Sequence, residues 1–398
     1  MSAGFDEAAG PGDAEDSGAR LRVLFLSWRD RGHPEAGGAE AFLDYVSRDL
    51  AARGHDVHVF TALYPGARLD ETLDQRRFRR RGGRFSVYPR AAVELVRRRG
   101  RFDVVIDVQN GLPFWAPLFT RTPVFNLVHH VHREQWPEVF GPLRARLGWW
   151  MESWLSPHLY RRSRYIVVSH ATKLELTELG VDRDRIDVVY SGRDPLIESV
   201  PVAQDEEPSL VVLGRLVPHK RVELAISAMA ALREQHPGLV LSVVGHGYWL
   251  PQLEDYAAAV GAAAHVRFLG FVDEDVKNRV LAAAWLNLLP SVKEGWGLAI
   301  IEAAAHGVPS VAFRDASGTT ESIIDGTTGL LVGDEAEFVA AVGELLADRV
   351  RRQDMGAKAK TFSEQFTWHA TTDEVERLLR ARSGLCSLPG PTAETELD

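Results

Sequence analysis

The sequence predicts an α/β protein built of two doubly wound domains that face each other across a cleft. Three observations carry this. The chain has 398 residues, 45% hydrophobic and 25% charged, enough for two or three domains with cores of their own. Strand-length runs of Val, Ile and Leu alternate with stretches whose apolar residues recur every three or four positions, the pattern of parallel strands buried on both faces and joined by helices. The series runs twice, with a proline- and acid-rich break between.

Residues 1–20 carry five acidic residues against Arg20 and no apolar run, the composition of a disordered acidic tail and not of a secretory signal. Residues 21–27 form the first strand, and a polar loop follows, ending in Gly37-Gly38. Ala39, Phe42, Leu43, Val46 and Leu50 then repeat at helical spacing until Gly54, and residues 56–61 form the next strand, completing a strand–helix–strand unit. Further strands are expected at 104–108, 124–128 and 165–168, which makes 21–190 the first domain. Pro195, Pro201, Pro208 and Asp205-Glu206-Glu207 mark 191–208 as a linker. The second domain, 209–362, is expected to place strands at 210–213, 239–244, 266–269, 286–289, 310–313 and 329–332, with helices such as 222–234 and 276–285 between them. A polar connection after Asp354 leads to a last helix within 363–382, whose apolar positions are Val375, Leu378 and Leu379, and 383–398 reads as a flexible tail.

The net charge of −9 conceals a partition: residues 21–190 hold 27 basic and 20 acidic residues, and residues 191–398 hold 18 and 30. Eleven arginines fall within Arg76 to Arg101. They form either a solvated face around a short helix at 89–99 or a surface that attracts phosphate or an anionic membrane. The acidic balance disfavours nucleic acid as a partner. No apolar run reaches the length of a membrane-spanning helix, and the single Cys386 rules out an internal disulfide and a cysteine metal cluster. The expected address is cytoplasmic, with peripheral contact at the inner membrane face through the arginine run.

Five stretches carry residue types suited to chemistry. Around Glu294-Gly295-Trp296-Gly297-Leu298 a strand ends, a glycine loop follows and an Ala- and Ile-rich helix opens. The first amides of such a helix lack intrahelical partners and lie at the positive end of its dipole, so they hold an anion such as phosphate. Glu294 and Glu302, eight residues apart, bracket one elongated ligand and accept hydrogen bonds from paired sugar hydroxyls. In Gly214-Arg215-Leu216-Val217-Pro218-His219-Lys220-Arg221, the second domain's first strand gives way to its first helix, the end of an open sheet where ligands bind. There Arg215 offers phosphate a planar fork and Lys220 a point charge. Gly37-Gly38 lets backbone approach a phosphate. Gly245-His246-Gly247 makes a turn after another strand, and without a third glycine at the dinucleotide spacing it argues against a dehydrogenase. Finally His129, His130 and His132 follow the strand at 124–128, with Trp136 beyond. Their spacing enforces no zinc geometry, so they read as a polar cleft wall or as structural histidines, with no metal site. The cluster Trp136, Phe140, Trp149, Trp150 and Trp154, with Arg144 and Arg146 nearby, is an acceptor wall, an interfacial surface or core.

Together, the helix start at 37–38, the Gly-Arg-Leu-Val-Pro-x-Lys run at 214–220, the turn at 245–247 and the Glu-x7-Glu motif ending in His-Gly-Val-Pro make residues 21–382 resemble the retaining family 4 glycosyltransferases. The resemblance implies the GT-B fold, two Rossmann-like doubly wound domains with the C-terminal helix crossing back to the N-terminal domain. It implies transfer of a hexosyl group from a nucleotide diphosphate sugar, GDP-mannose-like or a UDP-sugar, to a hydroxyl of a glycan, lipid-linked or natural-product acceptor, with no cofactor and no metal required. Arg215 and Lys220 would then neutralise the diphosphate, Glu302 hold the ribose and Glu294 contact the sugar. His129, with His130 as the fallback, would stand by the donor sugar. Gly37, Gly38, Gly245, Gly247, Gly295, Trp296, Gly297 and Leu298 would line the donor site, and His130, His132 and Trp136 would face the acceptor. Two departures stand out: Tyr190-Ser191-Gly192-Arg193-Asp194 replaces a frequent Pro-Asn-Gly-Val-Asp, and Arg221 replaces a frequent glycine. The competing readings are a non-catalytic nucleotide-binding regulator, against which the paired glutamates argue, and a nucleotide-sugar epimerase of similar fold.

Overall fold

The structure, a computed structural model, describes residues 19–133, 135–194 and 204–383. Its first sheet is made of β1 Arg22–Leu26, β2 Asp56–Thr61, β3 Asp70–Leu73, β4 Arg76–Arg80, β5 Val104–Gln109, β6 Val124–Val128, β7 Arg164–Val167 and β8 Ile186–Val188, in the order β3-β4-β2-β1-β5-β6-β7-β8. Only the β3–β4 hairpin is antiparallel. The second sheet, β9 Ser209–Leu213, β10 Val240–Val244, β11 Val266–Gly270, β12 Leu286–Leu289, β13 Ser310–Phe313 and β14 Gly329–Val332, runs β11-β10-β9-β12-β13-β14. In each sheet the order reverses beside the first strand, β1 or β9, which places a ligand crevice at the carboxyl ends there. Every strand expected from the sequence is present to within one residue.

Each domain buries its own core. Helix Val222–Leu232 presses Ala225, Ile226 and Met229, all fully buried, onto β9 and β10. The first core gathers Val23, Phe25, Val57, Ile106 and Phe125 under helix Gly38–Ala52, and takes in Trp296 and Ile301 from the second domain. The last helix, Trp368–Ser383, returns to the first domain and lies along Gly38–Ala52. Trp368 stacks on Tyr45 with ring centroids 4.7 Å apart, and Arg53 bridges Asp373 at 2.7 Å and Glu376 at 2.9 Å. Val375, Leu378 and Leu379 are buried, each stabilising the docking by about 1.5–3 kcal/mol.

Three local expectations are corrected. The polar connection after Asp354 is part of a helix, Arg349–Ser363. Its inward face carries Arg352, 1% exposed, with the guanidinium 3.9 Å above the Trp285 ring and Nη1 donating to the Leu345 carbonyl at 2.7 Å, so the apolar periodicity is broken by a buried arginine. The short arginine-rich helix spans Val87–Arg97. The arginine run is only in part a solvated face: Arg77, Arg84, Arg90, Arg97, Arg99 and Arg101 are exposed, and the others are not. Arg76 and Arg80 are each 3% exposed and pair with Asp44 and Asp74, and with Asp30 and Glu71. Arg77, Arg79, Arg81 and Arg98 also reach carboxylates of their own domain. Among the described residues no helix is long and apolar enough to cross a membrane. Of the expected tails and linker, residues 1–18, 195–203 and 384–398, with Cys386, lie outside the described residues.

Candidate active site

The loops after β1, β5 and β6 face those after β9, β10, β11 and β12 across one cavity of ≈ 290 Å³. From the first domain come Arg29, Gly37, Gly38, Glu40, Asn110, His129, His130 and Gln135; from the second come Arg215, Lys220, Gly245, Lys277, Glu294 to Leu298 and Glu302.

The positive side is assembled from both domains. A Cβ on Gly37 would sit 3.3 Å from Arg215 Nε, so the glycine pair and the arginine motif meet. Burial and the neighbouring Arg29 lower the Arg215 pKa, but a guanidinium stays charged at any working pH. Beneath it Glu40, 2% exposed, accepts from the Gly37 amide at 2.7 Å and from Arg29 Nε at 2.9 Å. Burial works against the Glu40 charge, yet Arg29 and Arg215 outweigh it and hold the carboxyl below its ordinary range. Gly297 opens helix Leu298–Ala305 in the left-handed region, φ 88°, where a Cβ would meet Ser322 Oγ at 2.8 Å. Glycine there aims the first amides of the helix at the cavity. Lys220 Nζ lies 2.5 Å from Glu294 Oε1.

Glu302 lies one turn inside that helix and is bound to Lys277 Nζ at 2.7 Å. The same ammonium reaches Asp194 at 2.6 Å and Glu274 at 2.6 Å. Burial pushes Glu302 up to about 6 against the pull of Lys277. Asp194 is also opposed by burial, but Lys277 prevails and holds it well below the carboxylate range. Asp194 further accepts from Trp368 Nε1 at 3.1 Å. The unusual Tyr190–Asp194 segment therefore ties the crossing helix to the cluster around Glu302.

The opposite wall is neutral and polar. Burial lowers the His129 imidazole to about 4 and His130 well below its ordinary value. His129 Nε2, Asn110 Nδ2 and Gln135 Oε1 are buried with no hydrogen-bond partner among the described residues. Such atoms cost about 1–3 kcal/mol each unless something answers them. Gly295 packs on the His129 carbonyl, where a Cβ would come within 2.1 Å of the oxygen, so this glycine sets how closely the two domains approach.

The expected residues divide accordingly. Arg215, Lys220, Glu294, Glu302, His129, His130, Gly37, Gly38, Gly245, Gly295, Trp296, Gly297 and Leu298 all line the cavity. His132 and Trp136 are not among its lining residues: both are held by Glu152, which accepts from Trp136 Nε1 at 2.6 Å and meets His132 Nδ1 at 3.0 Å. Gly247 packs against the Leu216 carbonyl instead. Trp296 is 4% exposed, its ring centroid 4.4 Å from that of Tyr190. Arg221, at the frequent-glycine position, has φ 50°, which is the left-handed geometry glycine favours. Sequence reading missed Arg29, Glu40, Asn110, Gln135, Asp194 and Lys277. Only Glu40 had a signal, an acid three residues after a helix N-cap that reaches back to its amide. Among the described residues no group of three or more His, Cys, Asp or Glu is arranged to hold a metal ion.

Comparison with known proteins fits this geometry. Residues 36–195 match the model of Glycosyltransferase Family 4, and residues 195–362 that of Glycosyl transferases group 1. The chain is 30% identical over 376 residues to a GDP-mannose-dependent alpha-(1-6)-phosphatidylinositol monomannoside mannosyltransferase of Mycobacterium tuberculosis, covering 87% of this chain and 95% of that one. This chain belongs to the family 4 glycosyltransferases. The glycosyltransferase is also 37% identical over 219 residues to a D-inositol 3-phosphate glycosyltransferase of Nocardia farcinica, covering 50% of this chain and 48% of the relative. Its GT-B fold matches the sucrose-phosphate synthase of Thermosynechococcus elongatus with TM-score 0.75 at 20% identity, covering 91% of this chain and 99% of that one. It matches an Anabaena protein solved with UDP and glucose with TM-score 0.71 at 20% identity, covering 91% and 100%. As a member of this family it transfers a glycosyl group from a nucleotide-sugar donor.

Proposed function

We propose that the enzyme moves a hexosyl group from a nucleotide diphosphate hexose, with GDP-mannose the first donor to test, to a hydroxyl of an acceptor on the first domain, retaining the anomeric configuration and needing no metal. One observation carries the reading: Arg215, Lys220 and the helix start at Gly297 line the same cavity as Glu294 and Glu302. As the bond to the sugar breaks, negative charge grows on the leaving diphosphate, and fixed positive groups aimed there lower the barrier by about 3 kcal/mol each. Lys220 must leave Glu294 to reach the phosphate, which frees Glu294 for the sugar hydroxyls. Glu302 accepts the ribose hydroxyls.

Retention is supported by what faces the sugar from the first domain. The carboxylates on that wall, Glu35 and Glu40, are both engaged by Arg29, at 3.3 and 2.9 Å, and His129 is a neutral imidazole. Among the described residues of that wall none is placed as a strong base, so the leaving phosphate oxygen takes the acceptor proton as the hydroxyl enters on the same face. Asn110 Nδ2 and Gln135 Oε1, a donor and an acceptor without partners, suit a hydroxyl, which is both.

The test is a thermal-shift screen of GDP, UDP and ADP, followed by turnover with the matching nucleotide sugar and a panel of hydroxyl acceptors. A ligand at a hundred times its Kd adds about 2.7 kcal/mol of stability, so one diphosphate should raise the melting temperature clearly and its sugar should be consumed only with acceptor. Conversion of the donor without acceptor would favour an epimerase, and no response to any diphosphate would remove the reading.

A further inference from the structure

Helix Pro142–Trp150 continues through a π-helical turn, Met151–Leu155, and its two faces differ. Inward, Ala145, Gly148 and Glu152 are buried. A Cβ on Gly148 would meet the Trp136 ring at 2.4 Å, and Glu152 fastens His132 and Trp136. Outward, Leu143, Leu147, Trp150 and Trp154 follow one another one helical turn apart and are 83%, 54%, 46% and 50% exposed. Trp150 stacks on Trp154 at 5.5 Å and Trp154 on His158 at 4.6 Å. Single exposed apolar residues are ordinary, but a continuous stripe of this size marks an interaction surface.

Charge identifies the partner. Residues 141–163 contain four exposed arginines, Arg144, Arg146, Arg161 and Arg162, and one acid, Glu152, which is buried and turned inward. Close by, the Arg84 guanidinium spans the rings of Phe140 and Phe85, the latter 69% exposed. Leucine and tryptophan on one face with arginines beside them are what a helix lying in the plane of an anionic lipid interface needs. The rings enter the acyl boundary while the guanidinium groups stay with the phosphates. A second copy packed on the same stripe would set arginine against arginine.

We propose that the face formed by Leu143, Leu147, Trp150 and Trp154 seats the protein on anionic lipid. Within the arginine run at 76–101, Arg76, Arg79, Arg80, Arg81 and Arg98 are held by carboxylates of their own domain, so the anchor is placed on this helix, with Arg84 beside it. The seat adjoins the cleft, because the segment that carries His129, His130 and Gln135 is pinned through Glu152 to this same helix. The proposal does not rest on the transfer reading, and its test uses no nucleotide.

The full chain is sedimented with phosphatidylcholine vesicles and with vesicles of phosphatidylcholine and phosphatidylglycerol, at low and high salt. The expected result is binding to the anionic vesicles only, weakening as salt shortens the range of the charges, with a blue shift of tryptophan fluorescence. W150S/W154S should lower the partition coefficient at least ~10-fold, about 1.4 kcal/mol, with an unchanged melting curve. R144E/R146E, which leaves the rings in place, should abolish the preference for anionic lipid. Three results would overturn the proposal: no binding of the wild type, binding of the two variants equal to that of the wild type, or a dimer in light scattering that W150S/W154S dissolves while vesicles bind nothing.

Discussion

Replacing Lys277 by methionine removes the ammonium shared by Asp194, Glu274 and Glu302, which lie at 2.6, 2.6 and 2.7 Å from it, while Glu274 keeps a second cation, Arg31 at 3.2 Å. Lys277 is 9% exposed, so the carboxylates it leaves are poorly solvated. Breaking a buried ion pair from one side costs about 3–5 kcal/mol, and for a domain of this size each kcal/mol lowers the melting temperature by about 2–4 °C, a fall of roughly 10 °C in all. The loss depends on pH. In the wild type Asp194 is held below its ordinary value, so it contributes stability that is present above its unfolded pKa and lost as pH falls. Without the ammonium, Asp194 rises above its unfolded value and Glu302, already raised to about 6, rises further, so the folded state binds extra protons and the variant loses stability as pH rises through that window. The gap between variant and wild type should therefore narrow from neutral pH to about pH 5. Thermal melts of both proteins followed by circular dichroism measure it. A gap of equal size at both pH values would refute the electrostatic argument and leave Lys277 as a packing residue.

Three further outcomes follow from the same geometry. Lys220→Ala should lower kcat about 10²–10³-fold while shifting the melting temperature little, because only one ion pair at the cavity rim is lost. With Glu302 at about 6, its carboxylate loses charge as pH falls through that value, so the KM for the donor should rise below about pH 6; Glu302→Gln should raise KM throughout and flatten this limb. Gly295→Ala places a methyl group where the His129 carbonyl stands, holding the domains apart. It should cost kcat steeply with little change in nucleoside diphosphate affinity, and an unchanged kcat would show that the contact is not needed for turnover.

The strands and most of the cavity were legible because both follow local rules. Short runs such as Val104 to Val108, apolar but for Asp107, read as doubly buried strands, and the motifs at 214–220 and 294–302 lie where such strands end. What escaped is polar matter placed by tertiary contacts. The β3–β4 hairpin turns through Asp74 and Gln75, both at positive φ, 46° and 63°, a primed turn without its usual glycine, and β4 hides its alternation behind buried Arg76 and Arg80. Helix Arg349–Ser363 escaped for the same reason, with Arg352 where a leucine would have kept the period. Lys277 and Asp194 reach Glu302 from separate segments, and no spacing announces that meeting. His132 and Trp136 stand behind the cavity lining, held by Glu152 from a π-helical turn, with the His132 ring 4.2 Å from that of His130, a placement that spacing does not reveal.

The most direct test is a crystal structure of the enzyme soaked with its nucleotide sugar. The diphosphate should lie against Arg215 and the amides at Gly297 and Leu298, with Lys220 moved from Glu294 onto a phosphate oxygen and Glu302 on the ribose. A donor bound elsewhere, or one that leaves the Lys220–Glu294 pair intact, contradicts the account.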